Sequence, residues 1–192
     1  MKFDIVYADP PWKYNSRANH KTRFRGGACG HYDLMTMKDI KDIPVNDIIS
    51  DNAVLFLWCT FPYLKDQLEV FNSWGFEYKT VGFTWIKTNP KNTKPFFGVG
   101  YYTKSNAEVC MLGTRGKVLK PAVNTISSVV ISPRMEHSSK PVIIRELINT
   151  LYPDYNKVEL FARPPLVDGW TMLGNEIDGK DIKDAIRELK DA

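Results

Sequence analysis

The chain has little of what disulfide-bonded, metal-binding or membrane proteins need. Its 192 residues include only three cysteines, Cys29, Cys59 and Cys110, which are far apart and form no Cys-x-x-Cys pair. An odd number of cysteines at such spacings argues against a disulfide framework and against a zinc site, so we predict no metal. No apolar run approaches the roughly 20 residues of a membrane-spanning helix, and the N-terminus shows no signal-peptide pattern. We therefore expect a cytoplasmic protein without a membrane partner.

The chain also has little excess of one sign of charge, since its formal net charge is only +4. Apolar side chains are plentiful: 43% of the residues are hydrophobic and 12% are aromatic. A chain of this length and composition can bury one good core. Because residues 1–192 contain no internal repeat or low-complexity tract, we predict a single domain over that range.

Apolar patterning predicts an α/β protein. Short apolar runs indicate strands near residues 3–8, 53–58, 78–86, 107–112, 157–162 and 170–173. Apolar residues at helical spacing indicate helices over 62–73, 141–151 and 180–190. Alternating strands and helices favour a sheet that is mostly parallel.

The motif Asp9-Pro10-Pro11-Trp12 directly follows the first apolar run, Phe3 to Ala8. A carboxylate at the end of a parallel strand faces the crevice where open α/β sheets bind ligands, and the prolines stiffen its loop. Asp9 and the Pro10 carbonyl could accept hydrogen bonds from an exocyclic amine while Trp12 packs on its ring. The structural alternative is a strand that ends in a Pro-Pro turn with a core tryptophan. The four-residue motif arises by chance in about one such chain in a few thousand, which favours chemistry on an amine.

Further blocks downstream extend this pattern. They are Gly98-Val99-Gly100-Tyr101-Tyr102-Thr103-Lys104-Ser105-Asn106-Ala107-Glu108, His137-Ser138-Ser139-Lys140-Pro141, Glu159-Leu160-Phe161-Ala162-Arg163, Trp170 and Leu173-Gly174-Asn175-Glu176. Taken alone, a lysine, an arginine or an asparagine from these blocks could be an ordinary cap, ion pair or turn residue. Taken together and in this order, from residue 3 to about 179, they resemble the DPPW-type N6-adenine methyltransferases. That family is related to the catalytic subunit that methylates adenosine in messenger RNA.

The resemblance implies a Rossmann-like, S-adenosylmethionine-dependent methyltransferase fold with a circularly permuted motif order. The catalytic loop comes first in the chain, and the candidate cofactor strand, Lys157 to Arg163, comes near the end. The cofactor implied is S-adenosylmethionine. Arg163-Pro164-Pro165 follows Phe161 where a dinucleotide-binding fold would carry a glycine-rich loop, so glycine motifs alone would miss this cofactor.

The resemblance also assigns roles to single residues. Asp9, Pro10, Pro11 and Trp12 are the candidate catalytic residues. The candidate cofactor-binding residues are Asp9, Lys140, Phe161, Arg163, Asn175 and Glu176. In this scheme Lys140 pairs with the cofactor carboxylate, Arg163 and Glu176 bind the ribose hydroxyls, and Asn175 binds the ribose or the adenine; Phe161 packs nearby or belongs to the core.

Two departures from the messenger-RNA enzymes affect this carry-over. Pro165 and Leu166 stand where those enzymes have polar cofactor contacts, so ribose binding relies more on neighbouring residues. Those enzymes also contact the cofactor adenine with a segment before the first strand, and this chain begins at Met1. Asp181-Ile182 is our candidate replacement for that segment.

Basic side chains cluster in loops that also hold aromatic ones. Lys13, Arg17, Lys21, Arg23 and Arg25 share one loop, further lysines are Lys87, Lys91, Lys94 and Lys104, and a third stretch holds Arg115, Lys117 and Lys120. Phosphate contacts beside aromatic platforms are typical of nucleic-acid binding; solvated loops with buried aromatics are the alternative. The candidate substrate-binding residues are Tyr14, Arg17, Lys21, Arg23, Arg25, Tyr101, Tyr102 and Lys104.

These inferences predict direct in-line methyl transfer to the 6-amino group of adenine in nucleic acid, with Asp9 as the orienting group. No cysteine lies in the motif, which argues against a covalent route. We favour DNA over RNA because the chain is compact, whereas the family's RNA enzymes generally carry extra parts or a partner subunit. An RNA adenosine methyltransferase, a catalytically silent nucleic-acid-binding partner subunit, and methylation of cytosine or a small molecule stay open, as does a homodimer.

Overall fold

The computed structural model describes residues 1–13, 34–135 and 139–191, and its strands form one mixed sheet. The strands are β1 (Phe3–Ala8), β2 (Ile49–Cys59), β3 (Glu77–Thr88), β4 (Ala107–Arg115), β5 (Val129–Pro133), β6 (Lys157–Leu160) and β7 (Trp170–Leu173). Their order across the sheet is β5-β3-β4-β2-β1-β6-β7. All six predicted strands are confirmed, and the Rossmann-like fold is confirmed with them.

The central strands are apolar on both faces because both faces of the sheet are covered. In β1, Val6 and Ala8 belong to one buried cluster, whereas Ile5 and Tyr7 belong to the other. A continuous apolar run is typical of a buried parallel strand, whereas a strand with one solvated face alternates polar and apolar residues. β1 could therefore be predicted from its apolar run. That run ends at Ala8, the residue before Asp9.

Among the described strands of the sheet, β4 alone runs antiparallel to its neighbours. β2 and β3 each pair with β4 in antiparallel fashion, while β1 pairs in parallel with β2 and β6, β3 with β5, and β6 with β7. The first residues of β4 therefore lie at the edge where the parallel strands end. The segment 89–106, which joins β3 to β4, rises from that same edge.

The sheet has a topological switch point between β1 and β6. After β1 the chain adds β2 on one side, whereas after β6 it adds β7 on the other side. Diverging connections leave a crevice beyond the carboxyl ends of the two strands, which is where ligands bind in open α/β sheets. Ala8 and Leu160 are register partners at the ends of β1 and β6, so Asp9 and Phe161 enter this crevice side by side.

The helices are shorter than predicted, and some were missed. They are α1 (Met37–Lys41), α2 (Leu64–Gln67), α3 (Glu69–Ser73), α4 (Ile143–Leu151), α5 (Asn175–Asp178) and α6 (Ile182–Asp191). The helix predicted over 62–73 is divided into a 3-10 turn, α2 and α3. Strand β5 and helices α1 and α5 were not predicted from the sequence, and each of them spans five residues or fewer.

The described residues were compared with what a membrane span and a metal site require. Within residues 1–13, 34–135 and 139–191, no helix has both the length and the apolar character needed to cross a membrane. The same residues contain no group of three or more histidine, cysteine or acidic side chains arranged to hold a metal ion. Cys59 and Cys110 are buried free thiols.

Candidate active site

A cavity of about 420 Å³ opens at the carboxyl ends of β1, β2 and β6. Its walls also include the start of β4, the segment before α4 and the turns around α5. The lining residues are Asp9, Pro10, Pro11, Trp12, Leu34, Met35, Trp58, Cys59, Thr60, Glu108, Lys140, Phe161, Ala162, Arg163, Gly174, Asn175, Glu176, Lys180, Asp181 and Ile182. This is the crevice that the switch point of the sheet creates.

The Asp-Pro-Pro-Trp loop is held by hydrogen bonds on both sides. The Trp12 amide donates to the Pro10 carbonyl at 2.9 Å, and the Met35 amide donates to the Pro11 carbonyl at 2.9 Å. The Trp12 indole donates to the Trp58 carbonyl at 3.1 Å, and the Trp12 side chain is almost fully buried. Trp12 is thus both a core residue and part of the cavity wall. Its ring therefore fits the structural interpretation, a core tryptophan after a Pro-Pro turn, and also the functional one, a surface for packing against the ring of a substrate.

Asp9 lies in a row of alternating charges at the cavity floor. Lys140 donates to Asp9 Oδ2 at 2.7 Å and lies 3.4 Å from Glu108 Oε2, and Glu108 also pairs with Lys87. The Lys140 ammonium lies 5.3 Å from the centre of the Trp58 ring, within range of a cation–π contact. The sequence separates Lys140 from Asp9 by 131 residues, so only the fold brings them together.

Burial and pairing act against each other in this row. Burial raises the pKa of Asp9 above its usual range, although the neighbouring Lys140 ammonium opposes the shift. Burial disfavours the charged form of Lys140, but Asp9 and Glu108 outweigh it and raise its pKa. For Glu108, burial is outweighed by Lys140 and Lys87, which lower its pKa. Lys140 is therefore held as a cation between the side chains of Asp9 and Glu108.

The end of β6 turns sharply into the cavity wall. Phe161 has a φ of 60°, a left-handed conformation that is uncommon for a residue other than glycine. The Ala162 amide donates to the Leu173 carbonyl at 2.9 Å, and a Cβ on Gly174 would lie 2.7 Å from both the nitrogen and the oxygen of Ala162. β6 and β7 thus approach closely just beyond their ends, and this approach requires glycine.

Polar side chains beyond this turn meet across the cavity rim. Arg163 Nε lies 3.1 Å from Glu176 Oε1, and Asn175 begins the short helix α5 beside it. Both side chains of the ion pair keep some solvent exposure. Asp181 and Ile182, the candidate adenine-contacting pair, line the same cavity.

The fold brings most of the predicted site residues together. Asp9, Pro10, Pro11, Trp12, Lys140, Phe161, Arg163, Asn175 and Glu176 all line the cavity. Their individual roles remain predictions. Lys140, predicted to pair with a cofactor carboxylate, here contacts Asp9 and Glu108.

The predicted substrate-binding residues are distributed differently. Tyr101, Tyr102 and Lys104 are highly exposed in the segment between β3 and β4, outside the cavity lining. Tyr14, Arg17, Lys21, Arg23 and Arg25 lie outside the described residues. The third basic stretch, which starts at Arg115, follows the end of β4 and so lies at the opposite edge of the sheet.

Sequence reasoning missed several residues of the cavity. Glu108 stood inside a motif block and near the start of a predicted strand, but its place at the cavity edge of the sheet could have been inferred only with the antiparallel pairing of β4 known. Trp58, Cys59 and Thr60 mark the end of β2, the strand beside β1. The sequence could have predicted that these three residues belong to the site, because neighbouring parallel strands end at the same edge of a sheet. Lys180 precedes the last helix and carried no signal.

Comparisons with known proteins agree with this geometry. Residues 3–176 match the MT-A70 family. The chain is 31% identical over 198 residues to the type II methyltransferase M.MunI of a Mycoplasma species, covering 95% of this chain and 81% of that protein. It is 29% identical over 185 residues to the human N(6)-adenosine-methyltransferase catalytic subunit METTL3, covering 95% of this chain and 30% of that one.

A Drosophila melanogaster N(6)-adenosine-methyltransferase MT-A70-like protein is 27% identical over 180 residues, covering 93% of this chain and 27% of that one. The chain therefore spans less than a third of the length of these animal relatives. Because the family match extends over nearly all of the sheet and every block of the cavity wall through Glu176, the chain belongs to the MT-A70 family of S-adenosylmethionine-dependent methyltransferases.

Proposed function

We propose that this chain transfers a methyl group from S-adenosylmethionine to the 6-amino group of adenine in DNA. The observation that carries the proposal is the Asp9 carboxylate, which Lys140 holds by one oxygen in the cavity wall beside Pro10 and Trp12. The Asp9 carboxylate and the Pro10 carbonyl are both hydrogen-bond acceptors, and an exocyclic amine has two N–H groups to donate to them.

The cavity fits the cofactor in size and in the chemistry of its walls. Its volume of about 420 Å³ lies in the usual range for small-molecule sites. Arg163, Glu176 and Asn175 offer donors and acceptors for ribose hydroxyls, and Lys140 offers a cation for a carboxylate. The contact between Gly174 and Ala162 keeps side-chain atoms away from the turn that joins these groups. When bound, S-adenosylmethionine supplies an electrophilic methyl group on a sulfonium with a neutral leaving group.

Asp9 and Pro10 are suited to orient an amine. Lys140 occupies Asp9 Oδ2, and no other described residue donates a hydrogen bond to Oδ1, which suits it to accept one from the amine. The Pro10 carbonyl accepts from the Trp12 amide and keeps a second lone pair for the other amine hydrogen. Two acceptors hold the nitrogen in place and stabilise the positive charge that grows on it during transfer. Burial raises the pKa of Asp9, and the Lys140 ammonium opposes this shift and so favours the ionised, accepting form.

One observation supports DNA as the substrate, and a second supports nucleic acid of either kind. The relative most evenly matched in length here is a type II methyltransferase, a class that acts on DNA, and the match covers 81% of it. The exposed segment 89–106 leaves the sheet at the edge where the cavity opens and carries Tyr101, Tyr102 and Lys104, which suit base stacking and phosphate contact. A base inside a duplex must be flipped out to reach a cavity of this depth. RNA remains the second candidate, since METTL3 is named for adenosine.

Methyl transfer from labelled S-adenosylmethionine to unmethylated DNA and RNA tests the proposal, with nucleoside mass spectrometry of the product. We expect N6-methyladenine in DNA with the wild-type chain. Asp9→Asn keeps the side-chain size but weakens the acceptor, so kcat should fall by roughly 10²- to 10³-fold, as when a transition-state hydrogen bond is lost, with a much smaller change in cofactor affinity.

Asp51→Asn is the matched control, because Asp51 is exposed on β2 at the edge away from the cavity. Product in RNA alone would select the RNA alternative. Cofactor binding without product on either polymer would indicate a partner subunit, and methylcytosine would contradict the assignment to adenine. Equal losses of turnover and cofactor affinity in Asp9→Asn would contradict the orienting role of Asp9.

A further inference from the structure

Arg145 is a buried cation outside the cavity lining. It lies on the first turn of α4, and only 9% of its surface is exposed. Its guanidinium pairs with Glu159 through two contacts of 2.7 Å, one from Nε and one from Nη2. The same Nη2 donates to the backbone carbonyl of Arg163 at 3.3 Å. One planar side chain therefore contacts both the last part of β6 and the turn beyond it.

The two ends of this contact carry different parts of the cavity. α4 starts two residues after Pro141, and the Ile144 amide donates to the Pro141 carbonyl at 3.1 Å, which ties the helix to the segment that carries Lys140. On the other side, the Arg163 carbonyl belongs to the turn that presents Phe161 and the Arg163 side chain to the cavity. Arg145 thus joins the segment that carries Lys140 to the turn that carries Arg163.

We infer that Arg145 is a positioning residue for the cofactor site, acting through the Arg163 carbonyl and α4 without touching the cofactor. This inference rests on the proposed use of the cavity for S-adenosylmethionine. Lys140 and Arg163 lie at separate places on the cavity wall, and a ligand that contacts both is sensitive to the spacing between them. Arg145 sets that spacing because the guanidinium is rigid and its donors are fixed in direction.

Stability alone does not require a buried ion pair at this position. Replacing such a pair by apolar residues of similar volume is often neutral or stabilising, whereas removing one partner leaves an unpaired buried charge. The double variant Arg145→Met/Glu159→Leu removes both charges together. It keeps an apolar filling between α4 and β6, and it loses the hydrogen bond to the Arg163 carbonyl, so it separates positioning from folding.

The experiment measures S-adenosylmethionine affinity by calorimetry, the Tm without ligand, and KM and kcat for methyl transfer. We expect the double variant to keep a Tm near that of the wild type, to bind S-adenosylmethionine on the order of tenfold more weakly, and to keep its kcat at saturating cofactor. Arg187→Met is the matched control: Arg187 is exposed and pairs with Asp184 on α6, so its loss should leave all four quantities unchanged.

Arg145→Lys keeps the charge for Glu159, but its side chain is one atom shorter, so its nitrogen stops short of the position from which Nη2 donates to the Arg163 carbonyl. We expect it to fold with a Tm near that of the wild type and to show the same weakened cofactor binding, which keeps the inference testable even if the double variant does not fold. Wild-type affinity in either folded variant would overturn the positioning role and leave the proposed function standing. Failure of the wild-type chain to bind S-adenosylmethionine would overturn both.

Discussion

Glu159 is a carboxyl group buried beside Arg145, at the end of β6 and only two residues before Phe161. Its backbone is paired with Tyr7 in the neighbouring strand β1, so it cannot move away from the apolar surroundings of that strand. Burial raises the pKa of Glu159 to about 7 even though Arg145 opposes the shift, and the negative charge of Asp9 adds to the increase. Glu159 therefore changes its charge within the range of pH in which proteins are usually handled.

This raised pKa makes a prediction about stability. The folded state holds the Glu159 proton more tightly than the unfolded chain does, so folding is favoured most at low pH. The contribution falls as the pH rises from the ordinary glutamate value of 4.5 to the folded value of about 7. Glu159→Gln carries no titrating proton at this position. The free energy of unfolding of the wild type relative to this variant should fall by up to roughly 3 kcal/mol over that range.

Urea denaturation of both proteins at several pH values between 5 and 8 measures the difference directly. The glutamine variant is the appropriate reference because its amide oxygen still accepts a hydrogen bond from Arg145. A difference that stays constant, or that grows in favour of the wild type as the pH rises, would contradict the raised pKa of Glu159.

At the scale of elements, the junction between β7 and α5 controls the shape of the cavity rim. Gly174 has an extended backbone that any residue could adopt, so its constraint is one of space. A Cβ there would meet the Ala162 backbone at 2.7 Å, closer than real side chains approach. The turn after β6 and the start of α5 must therefore separate if a side chain is added.

Gly174→Ala should destabilise the fold by about 1–3 kcal/mol, the usual cost of overpacking, and should also weaken S-adenosylmethionine binding, because Arg163 and Asn175 move apart. Gly169→Ala is the matched control. Gly169 has a φ of 77° and no neighbouring atom within 4 Å of an added Cβ, so alanine there costs stability through backbone strain alone. Denaturant unfolding and calorimetric titration of both variants check the prediction. Equal cofactor affinity in the two variants would show that the rim tolerates the added methyl group.

The elements differ in how far the sequence could predict them. β1 was predictable because a buried parallel strand is a mostly apolar run, and Asp9 could be placed because it follows such a run. β5 was not predicted, although it contains three consecutive apolar residues; it is an edge strand that pairs with β3 among the described residues, and three of its five residues are exposed. The antiparallel direction of β4 was also hidden, because direction depends on pairing partners and not on apolar pattern.

The same limit applies to the site. Its residue types were predictable from the motif blocks, but their contacts were not, because each contact joins distant parts of the chain. Lys140 contacts Asp9 and Glu108, and Arg145 contacts the Arg163 carbonyl, only after β1, β4 and β6 have assembled. Side-chain partners of this kind depend on tertiary packing, which local sequence does not encode.

At the scale of the whole molecule, groups suited to ligand contact are concentrated at one edge of the sheet. The cavity, the end of β3 and the start of β4 lie at this edge, together with the exposed segment 89–106. Tyr101 and Tyr102 are 95% and 93% exposed, and their rings contact each other edge to face with centres 5.0 Å apart. Large aromatic side chains at such exposure are available for base stacking beside the cavity.

Replacing both tyrosines, Tyr101→Ser/Tyr102→Ser, should therefore impair substrate binding without affecting the fold or the cofactor. Base stacking on an aromatic side chain contributes about 1–3 kcal/mol per base, so KM for DNA should rise by roughly tenfold or more. The Tm and the S-adenosylmethionine affinity should stay at wild-type values, because neither ring is buried.

Val118→Ser removes an exposed apolar side chain after the far end of β4 and is the matched control. Steady-state kinetics with DNA as the varied substrate measures the effect. An unchanged KM in the tyrosine variant, or an equal rise in the valine variant, would remove this segment from the proposed DNA-binding surface.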